Sequence, residues 1–297
     1  MTLDEFEFKP VLIDNDKLSK AKSENEFMYL SVELFKELAQ YIAILSCLYK
    51  SDEDGNARLW TRDEAVFGGL MVRTAKLMHG FLDNICKNRM ELAMIFSRCL
   101  GETAINLKYL IVFKSPDLIN EFIAYSLRTE KKLLEEIEEN IAVRGEEIPI
   151  EMRMKRSIYK SFELSSVTPE QIDSSERSVW GGSIYKRFQK LGMESVYLAL
   201  FQLQSHSLHG NWEEIIRYHL IYEDDAFAPN VEWESPRPQP VLALCTILTD
   251  TSLFYLDDFV QDCKEKEFLK GLLNNFELRV KELGDLHEKY LVKRSQI

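Results

Sequence analysis

The sequence predicts an all-α fold, a bundle of about seven to nine helices. Glycine and proline are scarce, with 12 and 8 in 297 residues. The long segments between them carry apolar residues at spacings of three and four, which is typical of amphipathic helices. A chain of this length buries about 75% of its unfolded surface, so its 45% hydrophobic content is sufficient for a core without disulfides or metals.

Capping residues and helix breakers divide the chain into elements. Thr61 with Glu64 three residues later forms a capping box, and Ser115 followed by Pro116 is typical of an N-cap and the first helical residue. With these signals we predict helices at about residues 24–50, 61–88, 89–113, 115–142, 151–163, 183–191, 194–209, 241–263 and 265–289.

The breaks between these helices suggest the domain organisation. Residues 224–240 are rich in acidic residues and proline, which predicts a loop. No clear linker separates two cores, so we predict one main helical domain over residues 61–297, preceded by a helical arm over residues 1–60.

Charge and cysteine usage indicate the compartment. The net charge is −12, and the five cysteines form no C-x-x-C pair, as in reduced cytosolic proteins. Residues 1–10 lack the basic and apolar regions of a signal peptide. The most apolar stretches, 41–48 and 241–248, are about eight residues long, whereas a bilayer span needs roughly 20. We therefore expect a cytoplasmic protein with no membrane contact and no cofactor.

The helix at 89–113 has an unusual distribution of polar residues. At about 100° per residue, five polar side chains share one arc while the rest of the helix is largely apolar. We call them the polar arc: Glu91, Arg98, Glu102, Asn106 and Tyr109. The predicted solvent edge is a different stripe, formed by Ser97, Gly101 and Lys108. The polar arc is therefore expected to be partly buried, with Arg98 and Glu102 bonded to each other because an unpaired buried charge is costly.

A second helix, at 194–209, repeats this pattern. Ser205, His206 and His209 fall among apolar residues on one face, and Ser205 and His209 are one turn apart, where they can share a ligand. We predict that the two helices face each other and enclose one polar pocket. Asn106, Tyr109 and Ser205 would bind a ligand there, beside Arg98, Glu102 and the histidines.

Structural roles for the same residues remain open. Arg98 and Glu102 could form an ordinary helix ion pair, and His209 before Gly210 could stabilise a helix C-terminus. A buried polar network can also serve only to fix helix register. For Tyr109 alone, core packing is the better interpretation.

The motifs R-x-x-x-E-x-x-x-N-x-x-Y, from Arg98 to Tyr109, and S-x-x-x-H-G, from Ser205 to Gly210, resemble a bacterial all-helical family of unknown function over roughly residues 60–270. The family is similar in style to the HEPN and abortive-infection groups of phage-defence proteins. The resemblance implies an all-helical fold and no established reaction.

HEPN ribonucleases use a nearby arginine and histidine, the histidine for acid/base chemistry and the arginine to stabilise the charged phosphate. By this likeness His209 or His206 would be the catalytic acid/base, and Arg98, held by Glu102, the phosphate stabiliser. Arg73 and His79 have a similar spacing, but chance supplies about one such pair in a chain of this composition.

Other sites follow from charge and spacing. Arg153 and Arg156, with Lys186 and Arg187, are basic residues near aromatics and are candidate contacts for nucleic acid, although the overall charge opposes such binding. His206, His209, Glu213 and Glu102 are a weaker alternative as metal ligands, and we predict no metal. The 224–240 loop is a candidate docking segment for a protein partner, and an exposed apolar helix face would allow a homodimer.

Two functional hypotheses follow. The first is a defence effector that cleaves RNA or a nucleotide without a metal. The second is a non-catalytic sensor or scaffold in which the same residues bind a small polar ligand or only lock helix packing.

Overall fold

The computed structural model describes residues 8–48, 50–173, 179–198, 208–260 and 264–295. Helix accounts for 74% of it, which confirms the all-α class, and the helices slightly outnumber the predicted seven to nine. In these ranges the helices are α1 (Asn15–Leu18), α2 (Asn25–Ser46), α3 (Arg62–Cys86), α4 (Met90–Val112), α5 (Pro116–Ser126), α6 (Arg128–Arg144), α7 (Pro149–Ser165), α8 (Ile184–Lys190), α9 (Glu194–Tyr197), α10 (Pro238–Phe259) and α11 (Lys264–Ser295).

Five long helices form the central bundle. Helix α3 packs along α4 and also against α2, while α10 packs between α4, α2 and α11. Large apolar side chains fill the space between them, with Phe35, Phe81 and Tyr255 fully buried. Because α2 contributes to this core, it is part of the bundle, and the domain boundary at residues 60–61 remains a prediction.

The predicted capping signals lie at the observed helix ends. Thr61 and Glu64 form the capping box of α3, and the Ser115 hydroxyl accepts a hydrogen bond from Leu118 N at the start of α5. The predicted helix 115–142 is instead two helices, because the backbone leaves helical geometry at Leu127, which has a ψ of 3°. Both helices bury apolar residues in the core.

Helices α6 and α7 pack on each other beside the bundle, and α8 packs on α4. A short 3₁₀ turn, Pro169–Gln171, lies between α7 and α8. Trp212–Glu214 is a single α-helical turn, and it continues into a π-helical turn, Ile215–His219.

Two short antiparallel hairpins complete the described structure. Strands β1 (Lys50–Ser51) and β2 (Ala57–Arg58) form the first hairpin. Strands β3 (Leu220–Glu223) and β4 (Ala226–Pro229) form the second hairpin. The predicted 224–240 loop is therefore wrong at both ends, because residues 226–229 are a strand and Pro238 already begins α10.

Helix α10 alone among the described helices is long and apolar enough to cross a membrane. Most of its apolar stretch is buried inside the bundle, as expected for the central helix of a packed core.

A buried ion pair joins α2 to α11. Arg279 donates from both terminal nitrogens to Glu37, at 2.6 and 2.5 Å. Tyr41 and the backbone N–H of Val11 also donate to Glu37, at 2.5 and 2.8 Å, and Val11 O accepts from Arg279. Burial, reinforced by Glu37, raises the pKa of Tyr41, so Tyr41 remains a donor. Every charged atom of the pair therefore has a partner.

Breaking this pair should destabilise the fold strongly. We expect Glu37→Gln to lower the free energy of unfolding by about 3–5 kcal/mol, because it leaves the Arg279 charge buried without a counter-ion. The control is Glu33→Gln, which removes an exposed pair with Lys36 on the same helix and should cost at most about 1 kcal/mol. Urea unfolding measures both, and similar costs would contradict the prediction.

The α3 capping box should make stability depend on pH. The bidentate bond from Arg58, aided by Thr61, lowers the pKa of Glu64 from 4.5 to about 2. The stabilisation is therefore complete above the unfolded pKa and is lost as the pH falls towards 2. We expect Glu64→Gln to cost about 1–2 kcal/mol at pH 7 and clearly less at pH 2.5. An equal cost in urea unfolding at both pH values would refute this.

Candidate functional site

Helices α3 and α10 cover the sides of α4 that do not carry the polar arc. Thr103 accepts a hydrogen bond from Arg73 of α3, at 3.2 Å, and Lys108 pairs with Asp250 of α10, at 2.6 Å. The predicted solvent edge is therefore wrong, because Ser97, Gly101 and Lys108 are all buried. Asp250 compensates the Lys108 charge, which offsets the cost of burying this lysine.

The least buried stripe of α4 is instead the one that contains Glu102 and Asn106. Arg98 is buried, with 8% of its surface exposed, and donates from Nη1 to Glu102 Oε2 at 2.9 Å. The predicted bond between these residues is confirmed. Burial lowers the pKa of Arg98, and Glu102 and, more weakly, Tyr197 of α9 oppose that shift. Glu102 is therefore the counter-charge that holds Arg98 in place.

Arg187 of α8 reaches the same stripe from the opposite side. Its guanidinium donates to Asn106 Oδ1 and, at 3.2 Å, to Gly182 O. It also lies over the Trp180 ring, 3.8 Å from the centroid. Arg187 is only 4% exposed, and its Nε is buried without a hydrogen-bond partner. Burial lowers its pKa, and the charge of Glu102 opposes this most strongly.

Lys190 and Tyr109 close the C-terminal end of the site. Lys190 Nζ donates to the Tyr109 hydroxyl at 3.0 Å, and the Tyr109 ring makes an edge contact with Trp180. Gly181 lies against Tyr109 so closely that an added Cβ would be 2.7 Å from Cε1. The close approach of Gly181 to Tyr109 thus helps to set the position of α8 on α4. Gly181 and Gly182 both have positive φ, a conformation that favours glycine.

These contacts define what we call the Arg187 site: Arg98, Glu102, Asn106, Tyr109, Arg187 and Lys190. It contains three cationic groups and one carboxylate among the described residues, and that carboxylate is on a side chain 47% exposed. Arginine keeps its charge in proteins even when buried. The site therefore carries excess positive charge in a chain whose net charge is −12.

The structure brings together only part of the predicted pocket. Ser205 and His206 lie outside the described residues, so their placement stays a prediction. His209 is exposed. The expectation that it lies in an enclosed pocket is therefore corrected, because its position among apolar residues in the sequence does not bury its side chain. Its role as an acid/base remains a proposal.

The basic residues predicted to bind nucleic acid separate into two places. Arg187 belongs to the site above, whereas Lys186 beside it is exposed. Arg153 and Arg156 are exposed on α7, which packs on α6. His79, of the chance Arg73/His79 pair, is also exposed. In the described ranges no three histidine, cysteine or acidic residues are grouped as metal ligands.

Sequence reasoning missed the pairing of Arg187 and Lys190 with the polar arc. A usable signal was present, because the Trp180-Gly181-Gly182 turn before α8 indicated a close backbone approach. What the turn approaches could not be inferred, since Tyr109 and Gly181 are distant in the chain. Sequence alone also favours exposure for arginine, so Arg187 was predicted as a nucleic-acid contact and not as a buried partner of α4.

Replacing Gly181 tests this arrangement. We expect Gly181→Ala to lower the free energy of unfolding by about 1–3 kcal/mol more than Gly192→Ala. Both glycines have positive φ, at 61° and 68°, but only Gly181 has a neighbour within 4 Å. The difference therefore isolates the contact with Tyr109. Equal costs in urea unfolding would mean that α8 is not held on α4 at this point.

Comparisons with known proteins supply a family. No curated protein and no solved structure matches the chain significantly. A model of the family of unknown function DUF5677 matches residues 64–227, more than half of the chain, and covers all the residues of the Arg187 site. The chain is therefore a member of the DUF5677 family.

Proposed function

We propose that the protein binds a phosphate-bearing ligand, an RNA segment or a nucleotide, at the Arg187 site. The observation that supports this is the burial of Arg187 without a carboxylate partner among the described residues. A buried guanidinium is costly unless it is paired, and its two hydrogen bonds reach neutral oxygens. An anionic ligand would supply the missing counter-charge.

The donors around the site suit phosphate. A guanidinium binds phosphate oxygens through two parallel N–H bonds, and the buried Nε of Arg187 has no hydrogen-bond partner. The Asn106 amide nitrogen and the Lys190 ammonium are further donors nearby. The Trp180 ring stacks on the Arg187 guanidinium. This contact orients the guanidinium donors before a ligand binds.

The overall charge favours a small ligand or a short single strand over duplex nucleic acid. Affinity for a long polyanion requires many lysine and arginine contacts, whereas this chain carries 49 acidic and 37 basic residues. A compact site with a few buried donors can still bind one or two phosphate groups, since the surrounding protein excludes water and strengthens each contact.

A second candidate is metal-independent cleavage of that ligand, in the manner of a HEPN-like phage-defence effector acting in the cytoplasm of a bacterium. Helix α9 packs on α8, which carries Arg187, and the chain runs from α9 into the segment with Ser205, His206 and His209. A histidine there would act as the acid/base, with Arg98 stabilising the phosphate. Without cleavage, the protein would be a sensor.

Removing the Arg187 charge tests ligand binding. We expect Arg187→Met to weaken binding of pyrophosphate, ATP or a short single-stranded RNA about tenfold or more, measured by calorimetry. The melting temperature should shift by no more than a few degrees, because an uncompensated charge leaves the core. The control is Arg294→Met, at an exposed position at the end of α11, which should bind as the wild type does.

The same probes separate the two candidates. If wild-type protein binds none of the three, the binding proposal is wrong. If it binds RNA or ATP and cleaves it, His206→Ala or His209→Ala should abolish cleavage while binding persists. If it binds without cleaving, the sensor role is favoured.

A further inference from the structure

The β3–β4 hairpin is largely exposed to solvent. All four residues of β4 and three of the four in β3 are exposed. One face carries Tyr222 and Phe227, which pair across the strands, and Trp212 contacts the edge of Phe227. These three rings are 60%, 52% and 60% exposed. An isolated two-stranded hairpin is only marginally stable in water. Burial of this aromatic face against a partner would therefore stabilise the hairpin.

The charge at the tip restricts the chemistry of that partner. Glu223, Asp224 and Asp225 are consecutive, and none of them lies within ion-pair distance of a cation among the described residues. The hairpin tip is therefore an aromatic surface with an acidic end. Such a surface repels nucleic acid and suits a partner that combines arginine with apolar side chains.

The same chain presents that combination on α7. Met152, Arg156 and Tyr159 follow one stripe of the helix, with Arg153 beside it. Met152 and Tyr159 are 49% and 46% exposed. Neither arginine has an acidic partner in the described part of the chain, while the neighbouring Lys155 and Lys160 are paired with glutamates. Ile158 and Phe162 lie on a different face of α7 and are buried.

We propose that the β3–β4 hairpin of one copy docks on the outward face of α7 of a second copy, and that the contact is reciprocated in a closed dimer. The acidic tip would meet Arg153 and Arg156, and Tyr222 and Phe227 would cover Met152 and Tyr159. Two such contacts in one dimer double the buried apolar area. A two-fold axis gives this reciprocity.

Charge exchange tests the dimer. The hairpin variant combines Glu223→Lys with Asp224→Asn and Asp225→Asn, since asparagine tolerates the positive φ of both turn residues. The α7 variant combines Arg153→Glu with Arg156→Glu. The hairpin variant raises the net charge by four and the α7 variant lowers it by four. The control is Glu277→Lys with Glu288→Lys, two exposed positions on α11.

Analytical ultracentrifugation of the full chain gives the readout. We expect a wild-type dimer, a control that dimerises equally, and variants that each self-associate about tenfold more weakly or worse. An equimolar mixture of the two variants should form a heterodimer, because each new surface then meets its opposite charge. The rescue also shows that both variants are folded.

Several results would overturn the proposal. A wild-type chain that stays monomeric at all concentrations would do so, as would variants that dimerise normally or a mixture without rescue. If the α7 variant instead loses affinity for a single-stranded RNA while the oligomeric state is unchanged, α7 is a nucleic-acid contact and the dimer is wrong.

Discussion

Burying a charged group in this bundle has a cost that must be offset locally, and two arginines differ in how that is done. Arg279 meets Glu37 through two bonds, with Tyr41 and Val11 satisfying the remaining oxygen sites. Arg187 is even more buried but bonds only to an amide and a carbonyl oxygen. The first arrangement is complete without a ligand, whereas the second leaves Arg187 Nε without a hydrogen-bond partner, and this difference is the basis for proposing an anionic ligand there.

Helix α4 is the element that makes the second arrangement rigid. Its sides are held by α3 through Thr103, by α10 through Lys108 and by α8 through Asn106. A helix fixed on three sides presents its remaining side chains with little freedom, which is what a binding site on a scaffold needs. The conformational cost of ordering these groups is met when the bundle folds, before any ligand arrives.

Local signals in the sequence predicted the helices and their caps, because capping depends on residues three apart. The bond between Arg98 and Glu102 was predictable for the same reason. The solvent edge of α4 was not, since Lys108 is buried by a partner 142 residues away. The β3–β4 hairpin was missed because its turn is Asp224-Asp225, with φ of 51° and 58°, where asparagine and glycine are the usual signal. The composition of the site depends on which distant helices meet, and periodicity does not specify that.

The stacking of Arg187 on Trp180 has a spectroscopic consequence. Indole emission responds to a charge held close to the ring face, and here a guanidinium lies 3.8 Å from it. Trp180 is buried and Trp60 half-buried, whereas Trp212 and Trp233 are exposed. Iodide would quench the two exposed indoles, and a Trp60→Phe substitution would leave Trp180 as the remaining shielded emitter. Neutralisation of the guanidinium by a bound anion would change the field at that indole. Trp180 would thus serve as an optical reporter of anion binding at the Arg187 site.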